Sequence, residues 1–201
     1  MTVTRTSSRP VLLLGIDGVI NSLLREPPSM GWPKDAWLKA EYTWDGPSRW
    51  PLLWAVPVIE YLNGLHDQGR VEVRWHTTWQ ELAPEFAKIV GLPEDWAVAD
   101  APEFRADWPL SAKQQLLEAQ PAWWKYPAAL RVLTEEKRPL IWIDDDLFGK
   151  VNRVHRNGLA QVGKVCLVSP DGQTGILPKH MRTIEEFLLL WEDPRGALSG
   201  S

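Results

Sequence analysis

The sequence has a single cysteine, no net positive charge and no long apolar run. Each of these features excludes a class of protein. Cys166 is the only cysteine among 201 residues, so a framework of intramolecular disulfides is excluded. The formal net charge is −4, so no overall positive field attracts the chain to nucleic acid or to an anionic membrane. The apolar runs are far shorter than the ~20 residues that a membrane helix needs.

The N-terminus, MTVTRTSSRP, does not have the pattern of a secretory signal. The apolar run after it is broken by Asp17 and lacks a cleavage site of small residues. We therefore expect a cytoplasmic protein without a membrane partner. The length suits one domain with a substantial core, and we predict a disordered stretch over 1–10, a domain over 11–192 and a loose tail over 193–201.

Tryptophan, in contrast, is abundant, with 13 residues. Rings of this size build a thick core or line a binding surface. Trp75 and Trp142 lie inside strand-like runs, so we expect both in the core. Residues 32–54 are rich in proline and glycine, and stacking of a nucleic-acid base on one of their tryptophans is a hypothesis.

Strand-like and helix-like segments alternate along the chain, which predicts an α/β fold with a mostly parallel sheet. The strand-like runs are VLLLGI, VEVRW, WAVADAP, LIWI and GKVCLVS. The helical segments are VPVIEYLNGLHD, ELAPEFAKIV, AKQQLLEAQ, PAALRVLTEEK and LPKHMRTIEEFLLLW. WLKAEYTW and RWPLLW flank DGPS, which predicts a β-hairpin over about 37–54.

Polar side chains follow three of these strands at the point where each strand ends. Asp17 follows the first, Thr77 and Thr78 follow VEVRW, and three aspartates at 144–146 follow LIWI. Ligands of parallel sheets bind beyond the carboxyl ends of the strands, so this shared location predicts a binding site. Each piece alone also fits a structural role, since Asp-Gly forms turns and threonine caps helices.

The three consecutive aspartates need a compensating charge. Like charges at the mouth of a buried strand cost free energy unless a cation or hydrogen-bond donors offset them. A hard divalent metal with oxygen ligands is a natural candidate for that cation.

Taken in order, these segments resemble the four motifs of the haloacid dehalogenase-like superfamily of phosphohydrolases. Its first motif is a strand ending in Asp-x-Asp-Gly, here GIDGVIN, and its second is a Ser or Thr after a strand, here Thr77 in VEVRWHTTW. Its third is a lysine that opens a helix, here Lys125 in WWKYPAAL, and its fourth is a carboxylate pair, here Asp144 and Asp145 in LIWIDDDL. The phrases HTTW, WKYPA, WIDDD and GILPKH are similar to a small bacterial subgroup that includes domains of RNA-repair proteins.

The resemblance implies a Rossmann-like three-layer sandwich with sheet order 3-2-1-4-5, a hairpin flap and no large cap domain. It implies that the ligand is a phosphorylated small molecule or a nucleic-acid end, bound through Thr77, Thr78 and Lys125. Asp17 would act as the general acid and base. The implied Mg²⁺ ligands come from three positions: Asp17, Asp144 and Asp145.

The chain departs from the family at the nucleophile position, where Gly15 replaces the first Asp. Gly15 supplies neither an attacking atom nor a metal ligand, and loss of a nucleophile costs on the order of 10⁴–10⁶ in kcat. Asp17 lies ~6.5 Å further along the strand and belongs to a different place. Three interpretations stay open: an inactive or weakly active phosphate-binding or nucleic-acid-binding module, a hydrolase in which Asp17 and a metal deliver water directly, and a phosphatase with a substituted residue. A fourth, purely structural interpretation makes the aspartates solvated caps.

Two further segments have competing explanations. Four basic residues follow the acidic trio, and they grip a nucleic-acid backbone or form a solvated helix face: Lys150, Arg153, His155 and Arg156. His76 points to the opposite side of its strand from Thr77, so we expect it to pack in the interior. The sequence contains no zinc-type cluster of His and Cys and no P-loop.

Overall fold

The computed structural model describes residues 9–43, 49–99, 124–150 and 153–192, without the side chains of residues 150, 153–155 and 192. The predicted tail over 193–201, residues 1–8 of the predicted disordered stretch and the predicted helix AKQQLLEAQ lie outside these ranges. Within them no helix has both the length and the apolar character that a membrane crossing requires.

The strands form one parallel sheet and one antiparallel hairpin. Their bounds are β1 Val11–Leu14, β2 Trp37–Thr43, β3 Arg49–Ala55, β4 Glu72–Trp75, β5 Ala97–Val98, β6 Leu140–Ile143 and β7 Val165–Val168. The sheet runs β5-β4-β1-β6-β7 and every neighbouring pair is parallel, whereas β2 and β3 pair antiparallel. Numbered along the chain, the sheet order is 3-2-1-4-5. The predicted α/β class, with a parallel sheet and a small hairpin, is confirmed.

Helices connect the strands. Their bounds are α1 Val56–Asp67, α2 Ala83–Val90, α3 Lys125–Thr134, α4 Leu147–Lys150, α5 Arg153–Val162 and α6 Pro178–Glu192, with short 3-10 turns at Lys34–Ala36 and Gln80–Leu82. Pro57 lies in the first turn of α1, where the missing N–H has no helical partner to lose. Gly91 ends α2 with a φ of 86°, the left-handed conformation that favours glycine. The third helix begins at Lys125, two residues earlier than the segment PAALRVLTEEK indicates.

The core lies on both faces of the parallel sheet. Successive residues of β1 point to opposite faces, so Leu12 and Leu14 join one cluster and Val11 and Leu13 the other. The first cluster contains buried residues of α1, α2 and α6, and the second contains residues of α3, α4 and α5. β1 is buried at every position because helices cover both faces, which explains its unbroken apolar sequence. Trp75 and Trp142 are fully buried, as predicted.

The hairpin packs on the first cluster. Trp37 and Trp54 are buried there, which makes both unavailable for the base stacking considered above. The half-buried Trp32 donates its indole N–H to the Ile176 carbonyl at 2.9 Å. Trp50 is 43% exposed near the end of the hairpin, while Trp44 lies outside the described residues. Most of the described aromatic surface in this segment therefore stabilises the fold.

Candidate functional site

The ends of three adjacent strands bring the predicted site residues to one edge of the sheet. β1 lies between β4 and β6, and Leu14 is in register with Trp75 on one side and Ile143 on the other. One further backbone hydrogen bond continues each ladder, from the Gly15 N–H to the Ile143 carbonyl at 3.0 Å and from the His76 N–H to the Leu14 carbonyl at 2.8 Å. The residues that follow the three strands therefore emerge side by side.

Gly15 lies directly beside the carboxylate of Asp144. A Cβ atom at position 15 would lie 3.3 Å from Asp144 Oδ2 and 3.0 Å from Val19 Cγ2. Both distances are short, so the buried Val19 or Asp144 would have to shift by a few tenths of an ångström. An acidic side chain at position 15 would thus point into the space next to Asp144, where the resemblance implies a nucleophile.

Asp144 forms a buried ion pair with Lys125. The carboxylate is 1% exposed and the lysine 8% exposed, and Lys125 Nζ donates to Asp144 Oδ2. The other oxygen, Oδ1, accepts the Asp146 backbone N–H at 3.2 Å. Burial raises the pKa of Asp144, and the neighbouring ammonium opposes that shift. Lys125, the first residue of α3, therefore supplies a cation for Asp144, the most buried of the three aspartates.

Asp145 lies against the backbone of the loop after β1. Gly18 has a φ of 70°, and a Cβ there would lie 2.1 Å from Asp145 Oδ2. Gly172 is also close, with a hypothetical Cβ 2.9 Å from the same oxygen. Desolvation raises the pKa of Asp145 to about 6, and the charges of Asp144 and Asp146 act in the same direction. Glycine is required at position 18 both for the left-handed backbone and for this close approach.

Asp17 is held by two neutral donors. Its Oδ1 accepts from Asn21 Nδ2 and its Oδ2 from Trp79 Nε1, each at 2.7 Å. Asn21 Oδ1 in turn accepts the Leu53 N–H of the hairpin at 2.9 Å, and the Tyr42 ring lies 5.5 Å from that of Trp79. Asp17 thus connects the end of β1 to the hairpin and to the loop after β4.

Asn21 and Trp79 were missed as site residues from the sequence. Asn21 closes the same GIDGVIN segment that contains Asp17, and Trp79 follows the threonine pair directly. An Asn four residues after an Asp-Gly turn is a weak signal for such a partner. Nothing in the local pattern identifies an indole 62 residues away as a hydrogen-bond donor to Asp17.

Thr77 and Thr78 begin the loop that leads to α2. The buried Thr77 accepts the Trp79 N–H on its hydroxyl at 3.3 Å, and its carbonyl accepts Gln80 Nε2 at 2.6 Å. Gln80 has a φ of 48°, so the loop turns sharply here. Thr78 is half-buried beside it. The hydrogen bond to the Thr77 hydroxyl closes a local turn, whereas neither the 3-10 turn nor α2 has a side-chain cap, and Thr77 lies at the same edge of the sheet as Gly15.

His76 packs against Trp124, the residue that precedes Lys125. It is fully buried, its ring stacks on Trp142 with centroids 5.4 Å apart, and it meets Trp124 edge-on at 5.3 Å. Desolvation lowers its pKa well below the usual value, and the charges of Lys125 and Arg131 act in the same direction. The predicted packing role of this histidine agrees with these contacts.

The residues proposed as metal ligands each have contacts within the chain. In the described parts of the chain, no group of three or more His, Cys, Asp and Glu side chains is placed to hold a metal ion. Both oxygens of Asp17 accept hydrogen bonds, Asp144 is paired with Lys125, and Asp145 lies against Gly18. Mg²⁺ prefers oxygen ligands in octahedral geometry, and a metal ion here would compete with these contacts.

The basic segment after the acidic trio is described only in part. Arg156 lies with its guanidinium 4.9 Å from the ring of Phe148 and donates to the Phe148 carbonyl at 3.4 Å. The side chains of Lys150, Arg153 and His155 lie outside the description. The nucleic-acid role considered for this segment therefore stays a prediction.

Comparisons of the chain with models of protein families, with curated proteins and with solved structures found no match. The function must therefore be argued from the residues at this edge of the sheet.

Proposed function

We propose that the chain is a phosphohydrolase-fold protein of the haloacid dehalogenase-like class that binds a phosphate monoester and hydrolyses it slowly or not at all. Three observations support the proposal: the strand order, the antiparallel hairpin that contacts this edge through Asn21, and the four motif segments meeting at one edge. The ligand is a phosphorylated small molecule or a nucleic-acid end.

The position of Gly15 carries the proposal. Its backbone continues the β1 ladder to Ile143, and its missing side chain would point at Asp144. The attacking oxygen of a covalent phosphoryl transfer would come from this position. Without it, the edge keeps groups for binding and for acid–base chemistry but has no nucleophile.

The remaining residues have complementary roles in this proposal. Lys125 supplies the positive charge for a phosphoryl oxygen, and the loop at Thr77 supplies a hydroxyl and backbone N–H groups. Asn21 and Trp79 orient Asp17, which would exchange a proton with the ligand or with water. Because Lys125 is already paired with Asp144, we expect weak binding of a phosphate dianion.

The test is a paired assay of the wild type and Gly15→Asp with an aryl phosphate and Mg²⁺. We expect the wild type at background and the variant at least ~10³-fold above it, since a nucleophile contributes this much or more. Gly15→Asn is the matched control, because it adds similar volume without a nucleophilic carboxylate.

Other outcomes separate the alternatives. Equal activity in the wild type and in Gly15→Asp, abolished by Asp17→Asn, would favour direct attack by water. No activity in any variant, together with no binding of phenyl phosphate or of a 5′-phosphorylated oligonucleotide by calorimetry, would refute the proposal and leave a structural role.

A non-catalytic binding module is the second candidate, and the same missing nucleophile favours it. In this case Gly15→Asp stays inactive although phenyl phosphate or a 5′-phosphorylated oligonucleotide binds to the wild type. An unphosphorylated oligonucleotide of the same sequence is the control. Loss of binding in Lys125→Met would assign the phosphate to this edge.

A further inference from the structure

We infer that Lys125 is the permanent counter-ion of Asp144 and takes the place of a divalent metal, so that the wild-type chain does not bind Mg²⁺ at this edge. The inference rests on the proposed function only in treating the edge as a ligand site. Its observations are the ion pair, the missing side chain at position 15 and the occupied oxygens of the neighbouring aspartates.

Both oxygens of the buried Asp144 carboxylate have a donor within the chain. One oxygen of Asp144 accepts from Lys125 and the other from the Asp146 backbone N–H. Asp144 is 1% exposed, so water does not compete for these oxygens. A metal ion at Oδ2 would lie next to the ammonium of Lys125, which repels it.

The charges beside Gly15 explain why the Lys125 ammonium is a sufficient counter-ion for Asp144. Beside Gly15 the structure places one carboxylate and one ammonium, which cancel. An aspartate at position 15 would put a second carboxylate next to the first, and one lysine would leave one negative charge uncompensated. A divalent cation would compensate it and would bridge both carboxylates. With glycine at this position, Asp144 is already paired with Lys125, and the ammonium opposes the approach of a divalent cation to this carboxylate.

The neighbouring aspartates do not restore the ligand set. Both oxygens of Asp17 are engaged by Asn21 and Trp79. The carboxylate of Asp145 lies against Gly18, whose α-carbon it approaches so closely that no Cβ would fit. Each carboxylate of the edge is thus held by its own contacts within the chain.

Buried residues pack next to Lys125 and restrict its position. Trp124, the residue before it, is buried and meets the ring of His76 edge-on. Lys125 Nζ lies 5.8 Å from the centroid of the Trp124 ring. The helix α3 begins here and packs on the sheet through Ala129 and Val132, and the Lys125 side chain is only 11% exposed.

The experiment measures thermal unfolding and calorimetric binding with MgCl₂, against NaCl of equal ionic strength. We expect no Mg²⁺-specific change in the wild type. In Gly15→Asp we expect saturable binding and a rise of several degrees in Tm at millimolar Mg²⁺, since a ligand of the folded state stabilises it. In Lys125→Met, Asp144 lacks its cation, so Mg²⁺ should also raise Tm there.

A saturable Mg²⁺ response of the wild type that Asp144→Asn removes would overturn the inference. So would the lack of any response in a folded Gly15→Asp; if that variant does not fold by circular dichroism, Lys125→Met decides instead. Phenyl phosphate binding is measured separately in EDTA and in Mg²⁺. Its absence in both buffers contradicts the proposed function, whereas Mg²⁺ binding by the wild type contradicts only this inference.

Discussion

Removing the ammonium of Lys125 is the sharpest test of how this edge is stabilised. Lys125→Met keeps most of the apolar stem but leaves Asp144, at 1% exposure, without its cation. Breaking a buried ion pair by removing one partner costs ~3–5 kcal/mol of unfolding free energy, because a buried charge stays uncompensated. For a chain of 201 residues, each kcal/mol lowers Tm by ~2–4 °C. We therefore expect a decrease in Tm of ~10 °C.

The double variant Lys125→Met, Asp144→Asn separates charge from packing. It removes both charges. Its free energy of unfolding should therefore lie ~2 kcal/mol or more closer to that of the wild type than the value for Lys125→Met alone. Lys39→Met is the matched control, since Lys39 and Glu26 form a pair with 45% and 80% exposed side chains. An exposed pair contributes ~1 kcal/mol or less.

The assay is urea unfolding followed by tryptophan fluorescence at pH 7.5 and pH 5.5. Without Lys125 the folded-state pKa of Asp144, which burial already raises, has no opposing cation. The folded state then holds a proton that the unfolded state releases, so the cost of Lys125→Met should be smaller at pH 5.5. A cost equal to that of Lys39→Met, or a coupling near zero in the double-mutant cycle, would refute the reasoning.

Two further predictions concern Asp145 and the glycine beneath it. Gly18→Ala should cost ~2–4 kcal/mol, since it combines a φ of 70° with a Cβ 2.1 Å from Asp145 Oδ2; Gly69→Ala, with a φ of 64° and open space around it, should cost only ~1 kcal/mol. Equal decreases in Tm for the two variants would contradict the close approach. Asp145→Asn should raise stability by ~1 kcal/mol at pH 7.5, after allowance for its partial exposure. The folded pKa of about 6 lies above the ordinary 3.8, so this carboxyl favours the folded state below about pH 4 and loses that contribution as the pH rises through 6. The gain should vanish in unfolding measurements at pH 4.

Much of the fold was predictable because its signals are local. The apolar run of β1 predicts a strand that is covered on both faces, and its burial at every position agrees. Pro57 and Gly91 mark the ends of α1 and α2 through their own backbone preferences. Alternation of strands and helices predicts a parallel sheet, since a parallel pair needs a crossover between its strands.

Parts of the candidate site were predictable for a related reason. Asp17, Thr77 and Asp144 all follow strands, and the carboxyl ends of parallel strands share one edge. The sequence therefore predicts that these three residues lie close together, but it does not identify what their side chains contact. The sequence did not show that Asp17 would accept hydrogen bonds from Asn21 and Trp79.

Strands, helices and the polar residues at the strand ends could be predicted from the residues alone. They depend on short-range periodicity and on local backbone geometry. The hydrogen-bond partners of the carboxylates could not be predicted in this way, because they depend on tertiary packing. The contacts of Lys125 with Asp144 and of Trp79 with Asp17 join residues 19 and 62 positions apart. Such pairs depend on where helices and loops dock after each crossover, and a buried charge takes whichever partner that docking brings within reach.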